Sequence, residues 1–207
     1  MKTTTKSLFL GSVLGGAIVQ LAVLACGKVA VTSDANAAID TIQAGAPAIS
    51  QTVYADTAAV ILGAGSGIIP FDNTIPQQSE GSEFLTVTIT PASASSSLLV
   101  EAVVWLSESA NHSNQIIGAI FRDAGADAIV SGWASIGFQN VSYGGANNYS
   151  DGPLVLRVRV PSGSTSPTTF KLRGGCDAGP AVLNGLGNVA MLGGSVRTTI
   201  TVTELAP

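Results

Sequence analysis

The chain has 207 residues, enough for one well-packed domain with an appendage and too few for two large ones. Only 11% of the residues are charged and 46% are hydrophobic, with 24 glycines and abundant Ser, Thr and Asn; this balance excludes a disordered chain and suits a compact β protein. With 9 basic against 13 acidic residues and a formal net charge of -4, there is no electrostatic footprint for a nucleic-acid backbone, so nucleic acid is excluded as a partner.

Lys2 and Lys6 precede an uncharged apolar run at residues 8–26. A basic start, an apolar run and small residues near its end describe a secretory signal, with Val23-Leu24-Ala25-Cys26 as an acceptable lipobox and Cys26 as the lipidated residue. The run is also about long enough to cross a bilayer uncleaved, although Gly11, Gly15, Gly16 and Gln20 make it a weak span. It fits equally an arm buried against other subunits of an assembly. Residues 1–27 are read as this segment, the Ala-rich residues 28–52 as a linker or stalk, and residues 53–207 as the folded domain.

Gly63, Gly65 and Gly67 superficially imitate a phosphate-binding loop, but such a loop opens a helix and this one runs into Pro70; a turn is the simpler reading. Residues 69–81 read Ile-Pro-Phe-Asp-Asn-Thr-Ile-Pro-Gln-Gln-Ser-Glu-Gly. Pro70 and Pro76 fix φ and remove backbone donors, so neither a helix nor a central strand runs through them. The segment is therefore an ordered irregular loop or an edge, in which Asp72 bonds turn amides around Thr74, Glu80 holds the loop base, and Gly81 allows a tight entry into the next strand.

Strands then follow at short spacing. Leu85, Val87 and Ile89 alternate with Thr86, Thr88 and Thr90, and a long apolar strand is expected over residues 98–106. Residues 115–122 and 128–131 bracket a hairpin turn at 123–127, and residues 154–160 place Leu154, Leu156, Val158 and Val160 opposite Arg157 and Arg159. Residues 140–152 read as the longest exposed loop, with strands over 168–173 and 195–204 completing the set. Roughly eight to ten strands without a convincing helix predict an all-β fold, an antiparallel jelly-roll β-sandwich preceded by an apolar N-terminal arm.

No constellation supports an enzyme or a cofactor. His112 is the sole histidine, which leaves no His-dependent triad or multi-histidine metal site, and Cys176 lacks a sequence-local activator. Asp123 and Asp127 are too few for a calcium site by themselves and are ordinary turn residues, so no metal is expected. Asp72 and Glu80 have the look of paired acids, but glycoside hydrolysis needs a cleft as well as a separation. The binding candidates are Tyr143, Asn147, Asn148 and Tyr149, because aromatic faces and amides are what glycan or protein surfaces meet. Turn composition explains the same residues without a ligand.

Residues 69–81 resemble the IP-x-D-x-TIPQ-x-x-EG opening of a β-sandwich domain common in bacteriophage tail-fibre and other virion appendage proteins. Later landmarks of that family recur in order at residues 85–91, 97–100, 119–123, 169–173, 183–185 and 200–204, so the resemblance covers residues 53–207. It implies a virion structural protein: a trimeric fibre or appendage head that attaches to a host-surface glycan or protein and joins other virion proteins through its N-terminal arm. The alternative is a bacterial cell-surface or outer-membrane lipoprotein or adhesin carrying the same sandwich. The strand at 98–106 also carries a second apolar row of Leu99, Val103 and Trp105, interrupted only by Glu101, which needs a cover that a single sandwich core does not supply: a neighbouring subunit of a homo-oligomer, in a dimer as well as a trimer, or the chain's own N-terminal arm.

Overall fold

The computed structural model describes residues 48–65, 67–108, 115–135, 153–187 and 189–207, together with the backbone of short strands within 13–31 and 141–148. Cys26, His112 and Tyr149 lie outside the described residues. The chain divides into two units, Met1–Pro47 and Ala48–Pro207. In the first, β1 (Val13–Leu14) pairs antiparallel with β2 (Ala17–Ile18), and β3 (Leu21–Val23) with β4 (Val29–Val31). Among the described residues, no helix is long and apolar enough to cross a membrane.

The second unit opens with β5 (Ile49–Thr57), β6 (Ile61–Leu62), β7 (Ser82–Ile89), β8 (Ser97–Val104) and β9 (Leu106–Glu108). It continues with β10 (Gln115–Arg122), β11 (Val130–Ser135), β12 (Val141–Tyr143), β13 (Ala146–Asn148) and β14 (Leu154–Pro161). The last elements are β15 (Thr168–Cys176), β16 (Ala181–Leu183), β17 (Gly185–Leu186), β18 (Val189–Ala190) and β19 (Thr198–Leu205). The first strand thus starts at Ile49, inside the stretch expected to be linker.

Two antiparallel four-stranded sheets form the sandwich, ordered β5-β19-β8-β14 and β7-β15-β10-β11. Counting their eight strands along the chain, the orders are 1-8-3-6 and 2-7-4-5. That interleaving is a jelly roll: each long connection passes from one sheet to the other, so both sheets must form for either to bury its inner face. A smaller sheet, β6-β16-β9, is hydrogen-bonded separately from the two large ones and adds Leu106, Ala181 and Leu183 to the same core.

Period-2 alternation fills the space between the sheets. Leu98, Val100, Ala102 and Val104 of β8, with Ile200 and Val202 of β19, share one core with Val87, Ile89, Ile116, Ile120, Phe170 and Leu172. On β19 the inward apolar pair is bracketed by two inward polar residues, Thr198 and Glu204, both fully buried. Thr198 Oγ1 donates to Asn184 Oδ1 at 2.8 Å and accepts the Trp105 N–H at 3.1 Å. Glu204 holds the β7–β8 turn: its carboxylate accepts the N–H groups of Ala92 (2.9 and 3.0 Å) and Ser93 (3.2 Å), the Ser96 hydroxyl (2.6 Å) and Gln51 Nε2 (2.7 Å).

Two expectations change. Residues 98–106 are not one strand: β8 ends at Val104, and after Trp105 the chain enters the small sheet as β9, because Trp105 N–H donates to the Thr198 hydroxyl and its carbonyl accepts the Asn184 N–H. The stretch at 140–152 is not simply a loop either, since β12 and β13 pair as a hairpin with Ser142 opposite Asn147.

Burial alone would raise the Glu204 carboxyl, but its donors, Ala92 N–H foremost, bring it down from the ordinary 4.5 to about 2. A carboxylate with a depressed folded-state pKa contributes its full stability above its unfolded value and loses it as the pH falls through the folded one. The Glu204 contribution is therefore complete above pH 4.5 and disappears toward about pH 2. Thermal unfolding followed by circular dichroism should show Glu204→Gln less stable than the parent by roughly 1–3 kcal/mol near neutrality, with the gap closing on acidification. A gap independent of pH would contradict this role.

Candidate functional site

A sandwich strand normally buries one face, yet β10 buries both. Its inward residues Ile116 and Ile120 belong to the shared core, while the outward row of Ile117, Ala119 and Phe121 is also at most 4% exposed. The cover is the proline-containing segment, which crosses the outside of the sheet as a strap.

The strap is anchored on β15, the neighbour of β10, one rung at a time. Phe121 pairs with Lys171, whose Nζ donates to Gln78 Oε1 at 2.6 Å. Ala119 pairs with Arg173, whose guanidinium donates to the carbonyls of Glu80 (2.8 Å) and Gly81 (2.9 Å). Ile117 pairs with Gly175, where a Cβ would stand 2.1 Å from the Gly67 carbonyl oxygen and 3.1 Å from Ile69. Only glycine permits that approach. Beside it, Ile69 N–H donates to the Cys176 carbonyl at 3.1 Å and the Ile69 side chain is fully buried.

At its far end the strap grips the β10–β11 turn. Gln77 Nε2 donates to Asp127 Oδ1 (2.9 Å), Gln78 N–H to the Ala126 carbonyl (2.7 Å), and Ala128 N–H to the Pro76 carbonyl (2.9 Å). Asp123 stands at φ 52° and accepts the Thr169 N–H at 2.8 Å. Asp123 and Asp127 are thus engaged in the turn, and no group of three or more metal-ligating side chains occurs among the described residues.

Within the strap, Asp72 Oδ1 accepts both the Thr74 N–H (2.7 Å) and the Thr74 hydroxyl (2.6 Å), bonds that hold its carboxyl below the usual range. Glu80 closes the base reciprocally: its Oε2 accepts the Gln77 N–H and its own N–H donates to the Gln77 carbonyl, each at 2.9 Å. Gly81, at φ 61°, has Ile69 at 2.8 Å and the Gly174 carbonyl at 2.9 Å from where a Cβ would sit. The two prolines differ in setting, Pro70 exposed and Pro76 half-buried.

Where the strap's cover ends, a groove of about 270 Å³ opens between it and β11. Phe71 and Trp133 flank it with ring centroids 5.5 Å apart and planes tilted by 56°. Both are large apolar side chains left in water, Phe71 at 50% and Trp133 at 60% exposure. Neither was singled out from the sequence; the signal available was the unbroken apolar run of β10, which requires a cover on its outward face.

The other sheet has no such strap among the described residues. Leu99 is half-buried, while Val103 and Trp105 lie at the exposed margin, with Tyr54 and Val155 more open still. Trp105 also borders an apolar cavity of about 200 Å³ with Met191 and Leu192. Of the aromatic and amide candidates, Tyr143 falls in β12 and Asn147 and Asn148 in β13, and their side chains lie outside the described residues. Cys176 is fully buried, and burial, followed by the Glu108 and Asp177 carboxylates, pushes its thiol up to about 12. Such burial disfavours the thiolate that a nucleophile requires.

No family model and no curated protein matches the chain. Among solved structures it is similar to dimeric latent PorU from Porphyromonas gingivalis, with a TM-score of 0.38 and 14% identity over 77% of this chain and 13% of that one. It is also similar to an alpha-amino acid ester hydrolase, with a TM-score of 0.27 and 10% identity over 75% of this chain and 32% of that one. The chain therefore spans less than a third of either neighbour. Likenesses at these scores carry no argument about activity.

The strap's seating is testable at Gly175. Gly175→Ala forces a Cβ into the Gly67 carbonyl and should cost roughly 1–3 kcal/mol by urea unfolding. Dye binding to newly exposed apolar surface should accompany the loss. An unchanged midpoint would show that the strap does not pack as described.

Proposed function

We propose that this chain is a virion structural protein, the oligomeric jelly-roll head of a fibre or appendage that meets the host surface. The observation that carries this reading is the asymmetry of the two outer faces. The β7-β15-β10-β11 sheet is closed by the chain's own strap, built from the segment that resembles virion appendage domains. The β5-β19-β8-β14 sheet leaves Val103, Tyr54 and Val155 uncovered, and Trp105, just past β8, lies at its margin. Leaving such side chains wet forgoes roughly 1.5–3 kcal/mol for each one that a partner would fully bury.

A second copy of the chain covers them with self-complementary chemistry, since acidic and basic groups already alternate on this face. Arg157 meets Glu101 at 3.2 Å and Arg197 meets Asp56. Three copies follow from the resemblance to fibre heads, and a closed ring of heterologous contacts satisfies each copy equally. In this reading, residues 1–47 join the head to other virion proteins.

Light scattering on residues 48–207 tests the oligomer. The expected result is a trimer that Trp105→Glu dissociates without unfolding; a monomer at micromolar concentration overturns it. Immunogold labelling of purified particles tests the location, with label expected on appendages. Label on bacterial envelopes, with lipid on Cys26 by mass spectrometry, would establish the lipoprotein alternative instead.

A further inference from the structure

The groove at the end of the strap combines three features that the packing of the domain does not use. Trp133 presents most of its indole to solvent, and its ring N–H donates to nothing among the described residues. Phe71 packs against it with ring centroids 5.5 Å apart and a 56° tilt, an ordinary tilted aromatic contact that still leaves Phe71 50% exposed. Asp72 is fixed by its Oδ1 bonds to Thr74, while its Oδ2 accepts nothing among the described residues.

Each feature has an ordinary cost. An exposed indole and phenyl pair forgoes burial, and a carboxylate oxygen directed to water gains nothing for the fold. Together they make an amphipathic cradle: flat apolar faces on one side, and at the lip a rigid ionised acceptor whose carboxyl lies below the usual range because of the Thr74 bonds. A pyranose ring has the matching chemistry, one face of C–H groups that stacks on an aromatic ring and an edge of hydroxyls that donate to a carboxylate. The groove, about 270 Å³, is at the small end of ligand sites and accommodates a single ring better than a long chain.

Charge narrows the class. No Lys or Arg lines the groove, and Asp72 contributes a negative charge. Sialic and uronic acids would meet a like charge with no cation beside it to offset it, whereas a neutral sugar would not.

We propose that the Phe71–Trp133 groove, with Asp72 at its lip, binds a neutral pyranose of a surface glycan. This places glycan contact on the strap and β11, on residues other than Tyr143 and Asn147. The inference rests on the attachment reading only for the source of the sugar; the site itself rests on the groove.

The test uses the full chain carrying Trp105→Phe, which leaves Trp133 as the only tryptophan of the two in the sequence. Its fluorescence is titrated with methyl glucoside, methyl galactoside and N-acetylglucosamine, with glucuronate and choline as controls. At least one neutral sugar should shift the emission saturably, and saturation-transfer NMR on the parent chain should show contact through the ring C–H protons. Asp72→Asn keeps an oxygen acceptor for Thr74 and should weaken binding roughly tenfold, the loss expected for one charge-assisted hydrogen bond. Trp133→Ala, at an exposed position, should keep the circular dichroism of the parent and abolish the NMR signal.

Binding that survives Trp133→Ala, a response to choline or glucuronate alone, or no response to any of the three sugars overturns the proposal. None of these outcomes alters where the particle label falls, so failure here is separate from failure of the virion assignment.

Discussion

Covering the outward row of β10 is the constraint on which the rest of this domain depends. Ile117, Ala119 and Phe121 lie on the outside of a sheet whose inside already forms the core, and they are nearly inaccessible to water. An irregular segment can lie on such a row only if its backbone groups find partners away from any ladder. Here Arg173 donates to the carbonyls of Glu80 and Gly81, Gln77 Nε2 donates to that of Ile75, the Ile69 and Gln78 N–H groups meet the carbonyls of Cys176 and Ala126, and Pro70 and Pro76 reduce both the donors to be satisfied and the entropy lost in fixing the loop. The strap is thus a third layer on one side of the sandwich.

That third layer gives the two sheets different fates. The strapped sheet buries the outward row of β10 within one chain, leaving Phe71 and Trp133 exposed where they meet and Ile75 exposed elsewhere on the strap. The opposite sheet carries Val103 and Val155 side by side, with Tyr54 two strands away, under nothing described. One outer face therefore suits a small ligand at its margin, and the other suits contact between copies.

Much of this architecture is legible in the sequence. Alternation assigns the inward rows of β8, β14 and β19, and paired prolines mark residues 69–81 as ordered but irregular. Less visible is what lies across from what. The run Ile116–Phe121 has no polar alternation, which signals burial on both faces, but nothing local says that residues some fifty positions earlier provide the cover; that follows from register, through Lys171, Arg173 and Gly175. For the same reason Trp133 reads as an ordinary strand residue until its pairing with Ile117 places it beside Phe71. The end of β8 is invisible to the pattern because Trp105 continues it, while its backbone bonds go to Thr198 and Asn184. The start of β5 is hidden because Gln51 is polar for reasons found only across the fold, at Thr90 and Glu204.

Amide hydrogen exchange measures the strap directly. The N–H groups of Ile69, Gln78, Gly81 and Ala128 are bonded across it or at its ends, to Cys176, Ala126, Ile68 and Pro76 respectively. If the strap is an integral layer, these four amides exchange only with the global opening that releases the amides of β10, and with the same free energy. If they exchange like surface loops while β10 stays protected, the strap opens independently and the outward row is not held as this account requires.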